Sequence, residues 1–148
     1  AVFVYQHSVA VWSGTTTFTR NTAWGAGGGV AVAVNSIVSW SGVTTFENNI
    51  SARGGAMFVS FANASWTGST EFSDNIAPLN GGAIYAGFVS HIVCQGTTTF
   101  SSNTAKTGNG GAINIYGFQS DGGPIVSIYS ETTFWNNSAF SKGGAIYS

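Results

Sequence analysis

Charge is what this 148-residue chain has least of. Four Lys and Arg and five Asp and Glu make up 6% of it, against ~25% in an ordinary globular domain. With a net charge of −1 there is no basic patch to steer nucleic acid or an anionic membrane surface, so neither is an expected partner. The single cysteine, Cys94, excludes an internal disulfide and any cysteine-based zinc site. No metal or other cofactor is expected. No apolar run reaches the ~18 residues of a membrane helix. The longest candidate, residues 25 to 34 (GAGGGVAVAV), is short and glycine-rich, so the chain is not expected to span a membrane. Helical 3.6-residue spacing is missing over any useful length. Disorder is excluded from the other side, because 43% of the residues are hydrophobic. An initiator Met and a leader are absent too, and the opening AVFVY has the look of mid-repeat sequence, so the expectation is a segment of something longer.

What the chain does have is a repeat. Five copies of Thr-x-Phe-x-x-Asn align on Phe18, Phe46, Phe72, Phe100 and Phe134, which lie 28, 26, 28 and 34 residues apart. Each is followed three residues later by Asn21, Asn49, Asn75, Asn103 or Asn137, and preceded two residues earlier by Thr16, Thr44, Thr70, Thr98 or Thr132. A glycine pair comes next in every copy, read as Gly28-Gly29, Gly54-Gly55, Gly81-Gly82, Gly110-Gly111 and Gly143-Gly144, and then a short apolar run. Six residues before the phenylalanines sit Trp12, Trp40, Trp66, Cys94 and Ile128, and Gly14, Gly42, Gly68 and Gly96 follow two positions after the first four of these.

Each copy holds about three runs rich in Val, Ile, Thr and aromatics, broken by Gly, Asn and Ser, which is strand punctuation. A unit of this length cannot bury an apolar face alone, whereas stacked copies share one core. The spacing therefore predicts an all-β chain: a right-handed parallel β-helix (β-solenoid) of about five coils of 26–34 residues, one segment over residues 1–148. In such a stack the phenylalanines form an internal ladder ~4.8 Å apart, and the tryptophans form a second one. The asparagines are expected at a left-handed turn, each amide bonded to the Asn one coil away. Each Gly-Gly supplies positive φ or close backbone approach at another corner. The 34-residue step carries an insertion, expected in GFQSDGGP (residues 117 to 124), which should bulge without breaking the ladder.

The tetrapeptides Gly54–Met57, Gly81–Ile84, Gly110–Ile113 and Gly143–Ile146, paired with the five Phe-x-x-Asn units, resemble the repeats of the chlamydial polymorphic outer-membrane proteins. The resemblance covers nearly the whole chain, although GGVA stands in for the tetrapeptide once. It implies right-handed β-helical passenger domains at the cell surface, with a role in adhesion.

Candidate sites are few. The carboxylates Glu47, Glu71, Asp74, Asp121 and Glu131 fall in different columns of the stack, and only Glu47 and Asp74 are near neighbours. Acid–base catalysis on a polysaccharide needs clustered carboxylates, so a solvated corner is the better reading and no catalytic residue is assigned. His7 and His91 share no column. The outward pairs beside the phenylalanines (Thr15/Thr17, Val43/Thr45, Ser69/Glu71, Thr97/Thr99, Glu131/Thr133) include only two Thr-x-Thr, too few for an ice-binding array. Cys94, in the tryptophan column, reads as a small buried hydrophobe. Three sequons mark candidate N-glycosylation at Asn63, Asn136 and Asn49. Asn49 also belongs to the ladder.

The leading expectation is a non-enzymatic extracellular or cell-surface β-solenoid, structural and adhesive, part of a stalk or a filament. The alternative is a polysaccharide-binding or polysaccharide-degrading β-helix, with ice binding behind it. The chain enters at Ala1 in a Gly-Gly-Ala slot and leaves at Ser148 just after one, with no polar cap at either end. The expected partners are accordingly itself or flanking repeats by end-to-end stacking, together with glycans or a host or cell-surface receptor.

Overall fold

Runs of Val, Ile, Thr and Phe favour extended backbone whose side chains alternate between two faces. In the computed structural model, each repeat forms one coil of a β-solenoid in which all strand pairs are parallel. The structure describes residues 1–117 and 122–148, and no helix occurs among them.

Three faces run the length of the stack. The first carries the Thr-x-Phe strands. It begins with two long strands, β2 (Val9–Thr19) and β5 (Ile37–Glu47). In later coils the same path divides into β8 (Asn63–Trp66) and β9 (Ser69–Ser73), then β12 (His91–Cys94) and β13 (Thr98–Ser101), then β16 (Ile125–Ile128) and β17 (Thr132–Trp135). On the second face lie β3 (Thr22–Ala26), β6 (Ile50–Arg53), β10 (Ile76–Ala77), β14 (Thr104–Ala105) and β18 (Ser138–Ala139). The third holds β1 (Val2–Tyr5), β4 (Val30–Ala33), β7 (Met57–Ser60), β11 (Ile84–Gly87), β15 (Ile113–Tyr116) and β19 (Ile146–Tyr147). The result is a stack of about five coils, with one extra rung on the third face where AVFVY pairs with β4.

Register is residue for residue. Phe18, Phe46, Phe72, Phe100 and Phe134 are mutual partners along the stack. Their rings lie 4.8, 4.8, 4.7 and 4.9 Å apart and within 12° of parallel. Phe46, Phe72 and Phe100 are fully buried. The second file is less uniform. Trp12 and Trp40 stack at 5.3 Å and 11°, but Trp66 is turned 69° from Trp40. Its next neighbour is the much smaller Cys94, and the turned indole donates its Nε1–H to Thr98 Oγ1 at 2.8 Å. Trp40, held flat by Trp12, makes no such bond, and its Nε1 and Thr70 Oγ1 are both left without a partner.

The glycines divide the work at the corners. The first of each pair takes left-handed backbone, with φ of 61°, 68°, 66° and 63° at Gly54, Gly81, Gly110 and Gly143. The second, at Gly55, Gly82 and Gly111, has no room for a side chain: a Cβ would stand 2.0–2.2 Å from the carbonyl oxygen of the equivalent glycine one coil on. In the first copy the pair is not Gly28-Gly29. Gly27 has φ 60° and Gly28 makes the close approach, while Val30 pairs with Met57, so the tetrapeptide there is Gly27-Gly28-Gly29-Val30. Three successive glycines hide this one-residue shift from a spacing argument. The Gly14–Gly42–Gly68–Gly96 file is a second line of contact, because a Cβ on Gly68 would lie 1.9 Å from Gly42 O.

Most of the extra length of the last step falls between Tyr116 and Ile125, since β15 stays in register with β11 before it and β16 with β12 after it. The phenylalanine ladder continues across it at 4.9 Å. The centre of the expected bulge, residues 118–121, lies outside the described residues.

Candidate functional site

A buried amide can stay inside a protein only if its hydrogen bonds are made, and the asparagine column meets that condition by translation. Each Nδ2 donates to the Oδ1 of the next Asn: 3.0 Å for Asn21, Asn49 and Asn75, and 2.9 Å for Asn103. The same nitrogens of Asn49, Asn75, Asn103 and Asn137 also donate to the carbonyls of Phe18, Phe46, Phe72 and Phe100 at 2.8–2.9 Å. Each Oδ1 accepts a second bond from the backbone N–H of the preceding Asn. The left-handed residue is not the asparagine. It is the residue before it: Arg20, Asn48, Asp74, Ser102 and Asn136 all have φ 54°. That twist aims the following amide inward, where Asn49, Asn75 and Asn103 are fully buried.

This column is scaffold, and the residues with chemistry lie apart from it. Glu47 closes β5 and accepts from Asn48 Nδ2 at 3.2 Å, Asp74 sits at the next turn position, and Glu71 and Glu131 are exposed elsewhere on the first face. Asp121 is outside the described residues. Among the described residues no three His, Cys, Asp or Glu gather closely enough to hold a metal. His7 and His91 are exposed and in separate columns. Cys94 is a free, fully buried thiol, pushed by that burial up to about 12. Of the sequons, Asn63 is exposed at the start of β8 and Asn136 is exposed at the turn, while Asn49 is spent in the buried ladder.

Aromatic side chains gather instead on the outside of the third face. Alternation turns Met57 and Ile84 inward and Phe58 and Tyr85 to the other side, where their rings stack at 5.3 Å and 4°. Three residues on, at the corner, Phe61 and Phe88 form a second stack at 4.9 Å and 10°. Between these files the backbone carries only Ser60 and Gly87. A Cβ on Gly87 would come within 2.7 Å of Tyr85 Cε1, so the Tyr85 ring lies over the glycine. Tyr116 is in register with Gly87. Its ring stands 6.3 Å from that of Tyr85 and meets Phe88 edge-on at 6.2 Å.

With Arg53 and Asn80, the rings of Phe58, Tyr85, Phe88 and Tyr116 line a groove of about 420 Å³. Burial pushes the Tyr85 phenol above its ordinary value, nearby Arg53 partly offsets this, and Tyr116 adds to it. Asn80 Oδ1 accepts the Asn109 N–H at 2.9 Å, and its amide NH₂ can donate. None of these residues stood out in the sequence as a site. The signal was present as an aromatic four and seven residues after the first glycine of copies two and three (Phe58 and Phe61, Tyr85 and Phe88).

The second face carries one more exposed feature. Between Ala23 and Ala26, β3 has one residue more than β6, and this bulge throws Trp24 out to 99% exposure. Its indole walls a mainly apolar hollow of about 220 Å³ with Ile50, Ala52 and Pro78.

The family model described as the Chlamydia polymorphic membrane protein repeat matches residues 69–87, 97–116 and 131–148. These segments are structurally equivalent: each starts at a Thr-x-Phe strand, passes the Asn turn and the Gly-Gly corner, and ends on the third face. The resemblance read from Gly-Gly-Ala and Phe-x-x-Asn thus holds for three copies of the repeat. The first two copies share the coil geometry without matching. Comparison with curated proteins and with solved structures returns no match. No helix among the described residues is long and apolar enough to cross a membrane.

Proposed function

We propose that this chain is a non-enzymatic segment of a cell-surface β-solenoid, a stiff axial support that displays an adhesive side face. The observation that carries the reading is a division of labour. The columns repeated in every coil are committed to packing and hydrogen bonding, while the aromatic groove on the third face is built from positions that differ between coils. A catalytic reading asks for converging carboxylates, and Glu47, Glu71, Asp74 and Glu131 stand in separate columns. Axially, the support partners with further rungs, from flanking repeats or a second copy, because translational register offers the same donors, acceptors and rings at every level. Asn63 and Asn136 are the acceptors this reading assigns for N-glycosylation in a competent secretory route. The test is adhesion itself. Beads coated with residues 1–148 should hold to cultured epithelial cells, and a triple variant of the groove (Arg53→Gln, Phe88→Ala, Tyr116→Ala) should release them. Equal retention of both bead types, or none of either, would remove the adhesive part of the proposal.

A further inference from the structure

We propose that the groove bounded by Arg53, Asn80, Tyr85 and Tyr116 binds a carboxylated sugar unit of an acidic glycan. This rests on the adhesive reading and names its ligand. Hydrogen-bonding capacity in the groove leans toward donors. The Arg53 guanidinium has donors and no acceptor. Asn80 has one acceptor position of its oxygen taken by Asn109 and can turn its amide N–H groups to a ligand, and the Tyr85 hydroxyl, which donates or accepts by rotation, can add a third donor. No lining side chain is a carboxylate. Such a wall suits an anion rich in acceptors, and a planar guanidinium matches a carboxylate with two parallel bonds.

The rest of the lining is ring surface from Phe58, Tyr85, Phe88 and Tyr116. A pyranose combines an apolar C–H face, which packs on aromatic rings, with hydroxyls and a carboxylate at its rim, so one ligand uses both halves of the groove. A volume of about 420 Å³ lies within the ~300–1,000 Å³ of small-molecule sites. The backbone argues the same way. Strands β7, β11 and β15 pair residue for residue beneath the groove, which leaves no strand edge there. An extended peptide gains much of its affinity by adding to such an edge, and on this face only side chains can read the ligand.

The test titrates the 148-residue chain by calorimetry with sialyllactose, tetragalacturonate, lactose, cellotetraose and an Asp/Glu tetrapeptide. The expected result is that an acidic saccharide binds about tenfold or more tightly than its neutral counterpart, the margin of one charge-assisted contact. That margin should shrink in high salt. Arg53→Gln should erase the preference with no change in melting temperature, since Arg53 is exposed. Arg53→Lys should keep part of it, and Phe88→Ala should weaken acidic and neutral sugars alike. The proposal is overturned if acidic and neutral sugars bind equally or not at all, if the preference survives Arg53→Gln, or if the acidic peptide binds more tightly than any saccharide. The bead assay separates this from the adhesive reading. Beads that hold equally well to cells stripped of sialic and uronic acids leave adhesion standing and remove the glycan. Sugar binding without bead retention does the reverse.

Discussion

Replacing Asn75 by Ala tests the interior of the stack most directly. Asn75 Oδ1 accepts two bonds from Asn49, from its N–H and its Nδ2, both at 3.0 Å, while Asn75 Nδ2 donates to Asn103 Oδ1 at 3.0 Å and Phe46 O at 2.9 Å. A methyl group in that place leaves two Asn49 donors facing nothing in a column closed to water. Each buried, unpaired donor costs about 1–3 kcal/mol, and because the two are coupled the expected total is ~4 kcal/mol. For a chain of this size that is a fall in melting temperature on the order of 10 °C. Asn21→Ala is the internal control. Asn21 is only partly buried, and Asn49 Oδ1 keeps the bond from the Asn21 backbone N–H at 3.1 Å, so the cost should be ~1 kcal/mol or less. Asn75→Asp sharpens the test. The introduced carboxyl can still accept from Asn49, but it turns an acceptor toward Phe46 O and Asn103 Oδ1. Burial and that contact raise its folded pKa above the usual ~3.9. The variant should therefore be most stable below about pH 4 and lose stability as pH rises through the folded value. Urea titration of the three variants, followed by far-ultraviolet circular dichroism, decides the matter. Equal losses for Asn75→Ala and Asn21→Ala would refute the ladder as a cooperative unit.

Phe72→Ala removes a fully buried ring between two stacked neighbours at 4.8 and 4.7 Å and should cost ~3–5 kcal/mol in the same titration. Gly68→Ala should be severe, because its Cβ meets Gly42 O at 1.9 Å, whereas Gly25→Ala, with open space around it, should be near neutral; similar melting temperatures for the pair would overturn the contact argument. The Cys94 thiol should resist a thiol-reactive dye at pH 8 until the chain is unfolded in urea. Its folded value of about 12 lies above the ordinary 9.0, so stability is intact below pH 9 and declines as pH climbs from about 9 toward 12; a flat melting profile over that window would count against its burial.

The stack was legible because its information is periodic. A phenylalanine, an asparagine and a glycine pair at near-constant intervals are enough to specify rungs, register and an insertion between Tyr116 and Ile125. Where the period is degenerate, the reading slips, as at Gly27-Gly28-Gly29, where any two of three glycines fit the pattern and only the coil above decides. The left-handed turn was assigned to the amide that shows it off rather than to the variable residue before it, since Arg20, Asn48, Asp74, Ser102 and Asn136 share no chemistry that spacing could detect. The groove escaped for the opposite reason. Phe58 and Tyr85 share their column with Phe3 and Tyr147 but also with Ala31 and Asn114. They lie in apolar runs that look like core, and whether a strand residue faces in or out there depends on a phase set by the glycine corner. Trp24 owes its position to a single-residue bulge that leaves no trace in the repeat count.

The direction of the hydrogen bonds has a mechanical meaning. In a coil stack the bonds between strands run along the axis, rung to rung, as do the amide file and the ring files. A pull along that axis stretches the rungs in series, so the weakest level carries the whole force and yields first. A pull from the side is different, because it loads the bonds between coils in shear, across their length, instead of stretching them. The groove of Arg53, Tyr85 and Tyr116 opens on a side face and spans successive coils. A tether anchored there loads the stack across its grain and holds side chains of successive coils, not a single rung.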